Sequence, residues 1–241
     1  MIGINLYGPA QNSTLSSSTS AGYMSQTNWN NLQVVPADNG VVQSALTDNS
    51  GALTTAIPTY FGQRASGTTT GVNPGFTSGS GDALLFSSAL FSGGNSFGLT
   101  VTNIPYTDYT IYVYLGENSS QPASDSSWTL TNTGTGTVNS TVFYQEFNAS
   151  SLTPQGTYVL GTNTTPNSPA NSGSYPNADY LEFTGNTANN FTLTGETLTG
   201  LPMLAGIQIV DTASAPEPSA YAILLGGIGM LLGLRALRRT A

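Results

Sequence analysis

One short run of residues matches the nucleophile elbow of serine hydrolases as a string. Gly94, Asn95, Ser96, Phe97 and Gly98 follow the pattern G-x-S-x-G, in which the serine lies on a strand-to-helix turn and a histidine accepts its proton. The chain contains no histidine and no cysteine, so it lacks the histidine base and also any thiolate nucleophile or metal ligand. We therefore interpret the run as a glycine-rich loop that enters a β-strand.

Carboxylates offer two further kinds of chemistry. Two of them at the right separation could hydrolyse a glycosidic bond. The sequence singles out no pair, and a glycan-cleaving enzyme is the second alternative function. Turn carboxylates could also hold a structural Ca²⁺, which prefers oxygen ligands, but no EF-hand spacing is present and we assign no metal ligand. The run 48–51, DNSG, is more simply a turn. The aspartates at predicted turns or strand ends are Asp38, Asp48, Asp82, Asp108, Asp125, Asp179 and Asp211.

Three aromatic residues are candidates for stacking on a sugar. Tyr112 and Tyr114 lie two residues apart, so they share one face of a predicted strand, and Trp29 lies in the run NWNN. Aromatic rings flanked by amides and carboxylates bind sugars by stacking and polar orientation. This pattern makes a carbohydrate-binding module the first alternative function. The same rings could instead pack in the second face of a sandwich or under a loop.

The charge of the chain restricts its partners. Twelve acidic and four basic residues give a net charge of −8, which repels phosphate backbones, so we expect no nucleic-acid partner. Charged residues make up only 7% of the chain and hydrophobic residues 38%. That apolar share is sufficient for a packed core, and solubility must come from hydroxyl and amide groups.

Period-two alternation of apolar and polar residues predicts β-strands along most of the chain. The clearest case is YTIYVYL, residues 109–115, and Ile2, Ile4 and Leu6 alternate in the same way. The remaining predicted strands cover residues 97–104, 127–132, 140–147, 179–185, 190–195 and 205–211. Short strands separated by turn residues favour an all-β fold, an antiparallel β-sandwich or jelly roll, over residues 1–211.

Two segments break this pattern. Residues 82–91 cluster apolar side chains without alternation, which predicts one short helix with Asp82 as its N-cap and Gly93 and Gly94 as its stop. Residues 161–177 are rich in Pro, Asn, Thr and Ser, which predicts one long surface loop. The first residues lack the basic and apolar regions of a signal peptide, so we expect the natural start to lie upstream.

The end of the chain differs from the rest. A linker of residues 212–215 leads to Pro216, Glu217 and Pro218, then to an apolar run without charge from 220 to 234, and then to arginines at 235, 238 and 239. The run predicts a C-terminal hydrophobic helix near the lower limit for crossing a membrane. Arg235, Arg238 and Arg239 would anchor its cytoplasmic side, which leaves residues 1–215 outside.

This order of three parts resembles the PEP-CTERM protein-sorting signal. The resemblance implies that the chain is a substrate of an exosortase, a membrane-embedded enzyme that recognises Pro216, Glu217 and Pro218 and removes the tail. It also implies a transient stay in the inner membrane of a Gram-negative bacterium that makes exopolysaccharide, followed by a location at the cell surface or in the extracellular matrix, either attached or released. The runs 21–32, 101–116 and 204–211 resemble a set of PEP-CTERM surface proteins with a jelly-roll domain of similar length.

The expected function follows from that resemblance and from the hydroxyl-rich, lysine-free composition. We expect an exported, non-enzymatic surface or matrix protein, structural or adhesive in role and associated with exopolysaccharide. No catalytic residue and no cofactor is assigned, apart from the open question of a structural Ca²⁺.

Overall fold

The computed structural model describes residues 1–8, 14–34, 43–62, 64–65, 75–91, 96–116, 125–132, 138–146, 156–164 and 177–213, with the backbone alone at 64–65, 125, 138–146, 177 and 199. Residues Met1–Asp211 pack as one compact unit. The predicted processing motif at 216–218, the apolar run and the three terminal arginines lie outside the described residues. Within the described residues, no helix has the length and apolar character needed to cross a membrane.

Thirteen strands and one short helix form the described part of the chain. The helix is α1 (Gly81–Leu85). In chain order the strands are β1 (Ile2–Tyr7), β2 (Asn30–Gln33), β3 (Ile57–Phe61), β4 (Arg64–Ala65), β5 (Leu90–Phe91), β6 (Phe97–Thr102), β7 (Tyr109–Gly116), β8 (Asp125–Asn132), β9 (Val138–Glu146), β10 (Asn177–Ala178), β11 (Tyr180–Asn186), β12 (Phe191–Thr199) and β13 (Met203–Asp211). Every predicted strand is confirmed, with bounds that differ by a few residues.

The strands form two sheets. The first sheet has the order β11-β7-β13-β1-β2, with β5 added beside β13 and β4 beside β5. The second sheet has the order β10-β9-β8-β12-β6-β3. Neighbouring strands are antiparallel except for β1 with β2 and β9 with β10. The predicted all-β sandwich of mostly antiparallel sheets is therefore confirmed.

The main hydrophobic core combines side chains of both sheets. Alternate residues of the long strands contribute to it, including Ile111 and Val113 from β7, Trp128 from β8, and Phe191 and Leu193 from β12. All five side chains are fully buried. Because strand side chains alternate between faces, the polar residues between them point away from this core in the second sheet.

The outer face of the second sheet carries a row of threonines. Register pairs Thr59 with Thr100, Thr100 with Thr192, and Thr192 with Thr131 across four neighbouring strands. All four are partly exposed, and the hydroxyls of Thr100 and Thr192 hydrogen-bond at 2.9 Å. Threonine suits an exposed strand face because its branched side chain packs well on the pleat. Hydroxyl groups thus provide the polar surface of this sheet, as the low charge content predicts.

The outer face of the first sheet is covered by protein. Every residue of its central strand β7 is buried, and a second hydrophobic cluster joins Tyr112 and Tyr114 to Leu15, Trp29 and Phe86. Those partners come from the segment before β2 and from the end of α1. This cover explains why β7 is rich in large side chains on both faces.

The helix prediction needs a correction at both ends. Ser80, not Asp82, is the N-cap, because its extended backbone lets its hydroxyl accept a hydrogen bond from the Ala83 backbone N–H at 3.2 Å. Asp82 lies in the first turn, where its charge favours the helix dipole. The helix ends at Leu85, and residues 90–91 form β5 because they pair with β13.

Three other sequence-based interpretations fall partly outside the described residues. Gly94 and Asn95 of the G-x-S-x-G string are not among them, and Ser96 directly precedes β6. The predicted loop over 161–177 is described only at 161–164 and at Asn177, which already belongs to β10. Asp38 is also outside the described residues.

Candidate functional site

The structure buries the three rings that the sequence nominated for sugar stacking. Trp29 is 5% exposed, Tyr112 8% and Tyr114 0%. Trp29 and Tyr114 do meet, edge to face, with ring centroids 6.1 Å apart. Their role as a stacking surface is nevertheless wrong, since a buried ring has no open face for a sugar. They pack beneath a loop instead, as the alternative interpretation held.

These buried residues hold the loop of residues 20–29 against the first sheet. The Tyr114 hydroxyl accepts a hydrogen bond from the Tyr23 backbone N–H at 2.8 Å and donates one to the side-chain oxygen of Gln208. The Gln208 amide donates to the Met24 carbonyl at 2.7 Å and to the Gln26 side-chain oxygen at 3.0 Å. The tip of the loop is therefore attached to β7 and β13 by buried hydrogen bonds, which are strong specifiers of position.

Gly22 allows this close approach. Its φ of +93° lies in the left-handed region, and a Cβ at this position would meet the Gln208 side-chain oxygen at 2.6 Å. The Gly22 backbone N–H donates to the Asp82 carboxylate at 2.8 Å, and the Tyr158 hydroxyl donates to the same oxygen at 2.6 Å. Burial raises the pKa of Tyr158, so its hydroxyl stays a donor. Asp82 thus joins the loop, α1 and residue 158.

The loop presents Tyr23 at its tip. Tyr23 is 47% exposed, and its ring stacks on that of Tyr180, with centroids 4.7 Å apart and 22° between the planes. The ring of Tyr112 lies 5.5 Å away, and that of Tyr158 meets it edge-on at 6.0 Å. One face of Tyr23 is thus packed on other rings, and the residue remains half open to solvent.

Exposed apolar residues gather around this ring. Four large hydrophobic residues of the described part are exposed, and three of them are Tyr23, Met24 and Leu160. Met24 follows Tyr23, and Leu160 pairs with Tyr180 in a β-bridge, so these residues share one region of the surface. We call this region the Tyr23 patch and define it by Tyr23, Met24, Tyr112, Leu160, Tyr180 and Glu182.

Glu182 gives the patch its charge. It is exposed, it lies opposite Tyr112 in the register of β11 and β7, and its carboxylate accepts a hydrogen bond from the Tyr112 hydroxyl at 3.3 Å. Burial, followed by the charge of Glu182, raises the pKa of Tyr112 to about 12. The Tyr112 hydroxyl is therefore a neutral donor that holds one carboxylate oxygen, Oε1, beside the rings.

This arrangement suits binding better than catalysis. A flat, oriented aromatic ring with a polar rim can stack on the C–H face of a pyranose while the rim orients its hydroxyls. Hydrolysis of a glycoside by the common mechanism needs two carboxylates across the bond, and the patch contributes one. Across the described ranges, no group of three or more His, Cys, Asp or Glu residues is placed to hold a metal ion.

A separate hollow lies at the turn that contains Asp48. It has a volume of about 570 Å³ and is lined by Leu53, Pro105 and Tyr106 together with Asp48 and two threonines. Asp48 accepts hydrogen bonds from the Ser50 N–H and hydroxyl and from the Ala52 N–H through one oxygen, at 2.8, 2.6 and 3.0 Å. These bonds lower the pKa of Asp48 and bear out the turn predicted for 48–51, in which Gly51 takes the positive φ.

The sequence analysis identified Tyr112 and Tyr114, which lie beneath the exposed ring, but it did not identify Tyr23 itself. Tyr23 stands in the run AGYMSQ, where no alternation marks it, and its only signal is an aromatic residue beside a methionine in a polar loop. Tyr180 and Glu182 lie in a predicted strand whose exposed side was not assigned. No protein-family model, curated protein or solved structure matches this chain.

Proposed function

We propose that this protein is an exported, non-enzymatic β-sandwich that attaches to exopolysaccharide outside a Gram-negative cell through the Tyr23 patch. The observation that supports this most directly is the stack of Tyr23 on Tyr180, with 47% of Tyr23 exposed. An exposed aromatic ring that is already ordered binds at a smaller entropic cost than a mobile one.

The surroundings of the ring support a carbohydrate ligand. Exposed apolar side chains that cluster together mark interaction sites more often than single ones do. Here Met24 follows Tyr23 in the chain, and Leu160 pairs with Tyr180, on which Tyr23 stacks. The tyrosine hydroxyls and the Glu182 carboxylate supply the polar partners that orient a sugar. The role is therefore adhesive, with the carbohydrate-binding alternative as its molecular basis.

The tail supplies the route to the cell surface in this proposal. Pro216, Glu217 and Pro218 form the recognition motif for an exosortase, and the following apolar run forms a hydrophobic helix with Arg235, Arg238 and Arg239 on the cytoplasmic side. The support is the resemblance of this segment to PEP-CTERM signals. The jelly-roll assignment of the sandwich belongs to the same proposal, since it rests on that resemblance and on a chain that crosses repeatedly between two sheets.

Binding to the exopolysaccharide of the producing bacterium tests the function. The parent protein should bind saturably in isothermal titration calorimetry. Tyr23→Ala should raise the dissociation constant about tenfold because it removes the stacking ring. Leu53→Ala is the matched control, since Leu53 is 75% exposed and lies outside the patch. Absence of binding by the folded parent, or equal loss in both variants, contradicts the proposal.

The C-terminus of the mature protein tests the sorting route. Peptide mass spectrometry of envelope and medium should recover peptides that end near residues 216–218 and none from the apolar tail. Recovery of the intact tail to Ala241 from membranes would overturn the exosortase assignment.

A further inference from the structure

We infer that the Tyr23 patch selects polysaccharide segments that carry free, protonated amino groups over acidic segments and over the same segments with acylated amines. This inference rests on the proposed carbohydrate-binding function and names its ligand class. The structural basis is the position of Glu182 beside an exposed, oriented tyrosine ring.

The geometry brings two cation-binding features together. The face of an aromatic ring attracts cations through its quadrupole, and Tyr23 keeps much of its surface open. Glu182 lies opposite Tyr112 in the register, and the Tyr112 ring centroid is 5.5 Å from that of Tyr23. A hexosamine that stacks on Tyr23 can therefore place its ammonium group near both the ring and the carboxylate.

The Tyr112 hydroxyl prepares this carboxylate for a ligand. It donates to Oε1 of Glu182 at 3.3 Å, which orients the exposed side chain of this residue on β11. Tyr112 and Tyr180 both keep their protons, since burial raises the pKa of each phenol. The patch thus carries a single negative charge within a rim of neutral hydroxyls.

Arg64, of which the structure describes the backbone alone, is separated from that charge by several strands of the first sheet. The four basic residues are Arg64, Arg235, Arg238 and Arg239, and only Arg64 is in the sandwich. Arg64 lies in β4, four strands from β11 in the order β4-β5-β13-β7-β11, a separation of about 19 Å at ordinary strand spacing. That is more than twice the Debye length in physiological salt. The amino terminus hydrogen-bonds Asn49 and faces Asp48 and Asp211 instead.

The negative charge of the patch therefore gives different affinities for acidic, neutral and basic polysaccharides. An acidic polymer is repelled by Glu182 and by the net charge of −8 on the chain. An N-acylated hexosamine stacks without repulsion but gains no ion pair. A free hexosamine gains both the ion pair and the cation–π contact, which together amount to roughly a fivefold gain at an exposed site.

Titration calorimetry with two matched probes tests this inference. The probes are the β-1,4-linked hexasaccharides of glucosamine and of N-acetylglucosamine, compared at a mildly acidic pH at which the amines are protonated. We expect the parent to bind the glucosamine probe about fivefold more tightly. Glu182→Gln should reduce this ratio to below about twofold, and added salt should reduce it in the parent. Glu196→Gln is the control, because it removes the same charge from an exposed position on β12 in the other sheet.

The outcomes separate the selectivity from the underlying function. Equal affinity for both probes, a preference that survives Glu182→Gln, or a preference lost equally in Glu196→Gln would overturn the inferred selectivity. If Tyr23→Ala still weakens binding to the host polysaccharide about tenfold in those cases, the proposed function stands. Binding of the host polysaccharide without binding of either hexasaccharide also overturns the selectivity and leaves the function in place.

Discussion

The ring of Tyr23 lies nearly parallel to the ring of Tyr180, with centroids 4.7 Å apart. The two residues are distant in the sequence: Tyr23 is at the tip of a loop and Tyr180 begins β11. Tyr180 is 4% exposed and Tyr23 is 47% exposed. A buried ring thus supports an exposed one, and the exposed ring has a defined orientation before any ligand arrives.

This support predicts that Tyr180→Leu weakens polysaccharide binding although Tyr180 itself is buried. The substitution keeps an apolar side chain but removes the stack, so Tyr23 must be ordered on binding at about 0.5–1.5 kcal/mol. We expect calorimetry to show a dissociation constant about three- to tenfold higher than that of the parent. Thermal unfolding of the variant checks that it is folded, and an unchanged affinity would show that the stack does not order Tyr23.

The hydrogen bonds of Tyr114 predict a loss of stability in Tyr114→Phe. The variant leaves the Tyr23 N–H without its acceptor and deprives the Gln208 oxygen of its Tyr114 donor, at a cost of about 1–3 kcal/mol in the free energy of unfolding. Tyr112→Phe is the control, because its partner Glu182 is exposed and can bind water instead. Urea unfolding measures both variants, and equal stability of the two would contradict the assigned role of Tyr114.

The contact between Gly195 and Trp128 predicts coupling between these positions. A Cβ at Gly195 would lie 2.7–2.9 Å from three atoms of the buried Trp128 ring, so Gly195→Ala should cost roughly 1–3 kcal/mol by overpacking. Trp128→Phe should offset part of that cost in a double-mutant cycle. Gly185→Ala is the control: its Cβ meets nothing within 4 Å, and only its φ of +67° is unfavourable. The destabilisation by Gly185→Ala should therefore add to that by Trp128→Phe in the double variant. If the effects of Gly195→Ala and Trp128→Phe are additive as well, the two positions are not coupled, which would contradict the clash.

The burial of Asp179 predicts a pH-dependent stability. Asp179 lies between β10 and β11 with no exposed surface, and one oxygen accepts the Val159 N–H at 2.8 Å. Its other oxygen has no hydrogen-bond partner among the described residues. Burial raises the pKa of Asp179 to about 7, whereas an unfolded aspartate titrates near 4, roughly. Between these two pH values Asp179 is protonated in the folded state and ionised in the unfolded state. The free energy of unfolding therefore falls as the pH rises from about 4 to about 7.

Asp179→Asn should remove that contribution to the pH dependence. The asparagine oxygen can still accept the Val159 N–H, and its amide does not ionise. The urea midpoint of the parent should therefore fall relative to that of the variant between pH 5 and pH 8. A difference between the two proteins that stays constant over this range would contradict the raised pKa.

Much of the fold could be predicted because strand alternation is a local signal. Ile111 and Val113 share a face whatever lies opposite them, and so do Leu130 and Trp128. The short strands β2, β3, β4, β5 and β10 were missed because two to five residues show too little alternation to be recognised. The N-cap was placed at Asp82 and not at Ser80, since both residue types cap helices and only the backbone conformation distinguishes them.

The sequence by itself determined the long strands, which residues of a strand share a face, the lack of a histidine base and the presence of a Pro-Glu-Pro string before an apolar run. Only the tertiary structure decided which aromatic ring meets solvent. Tyr112 and Tyr114 stand on the face opposite the core, but the loop of residues 20–29 covers that face and presents Tyr23 in their place. The exposure of these rings depends on partners about ninety residues away in the chain. Local alternation predicts which residues share a face of a strand, but it does not predict what packs against the second face.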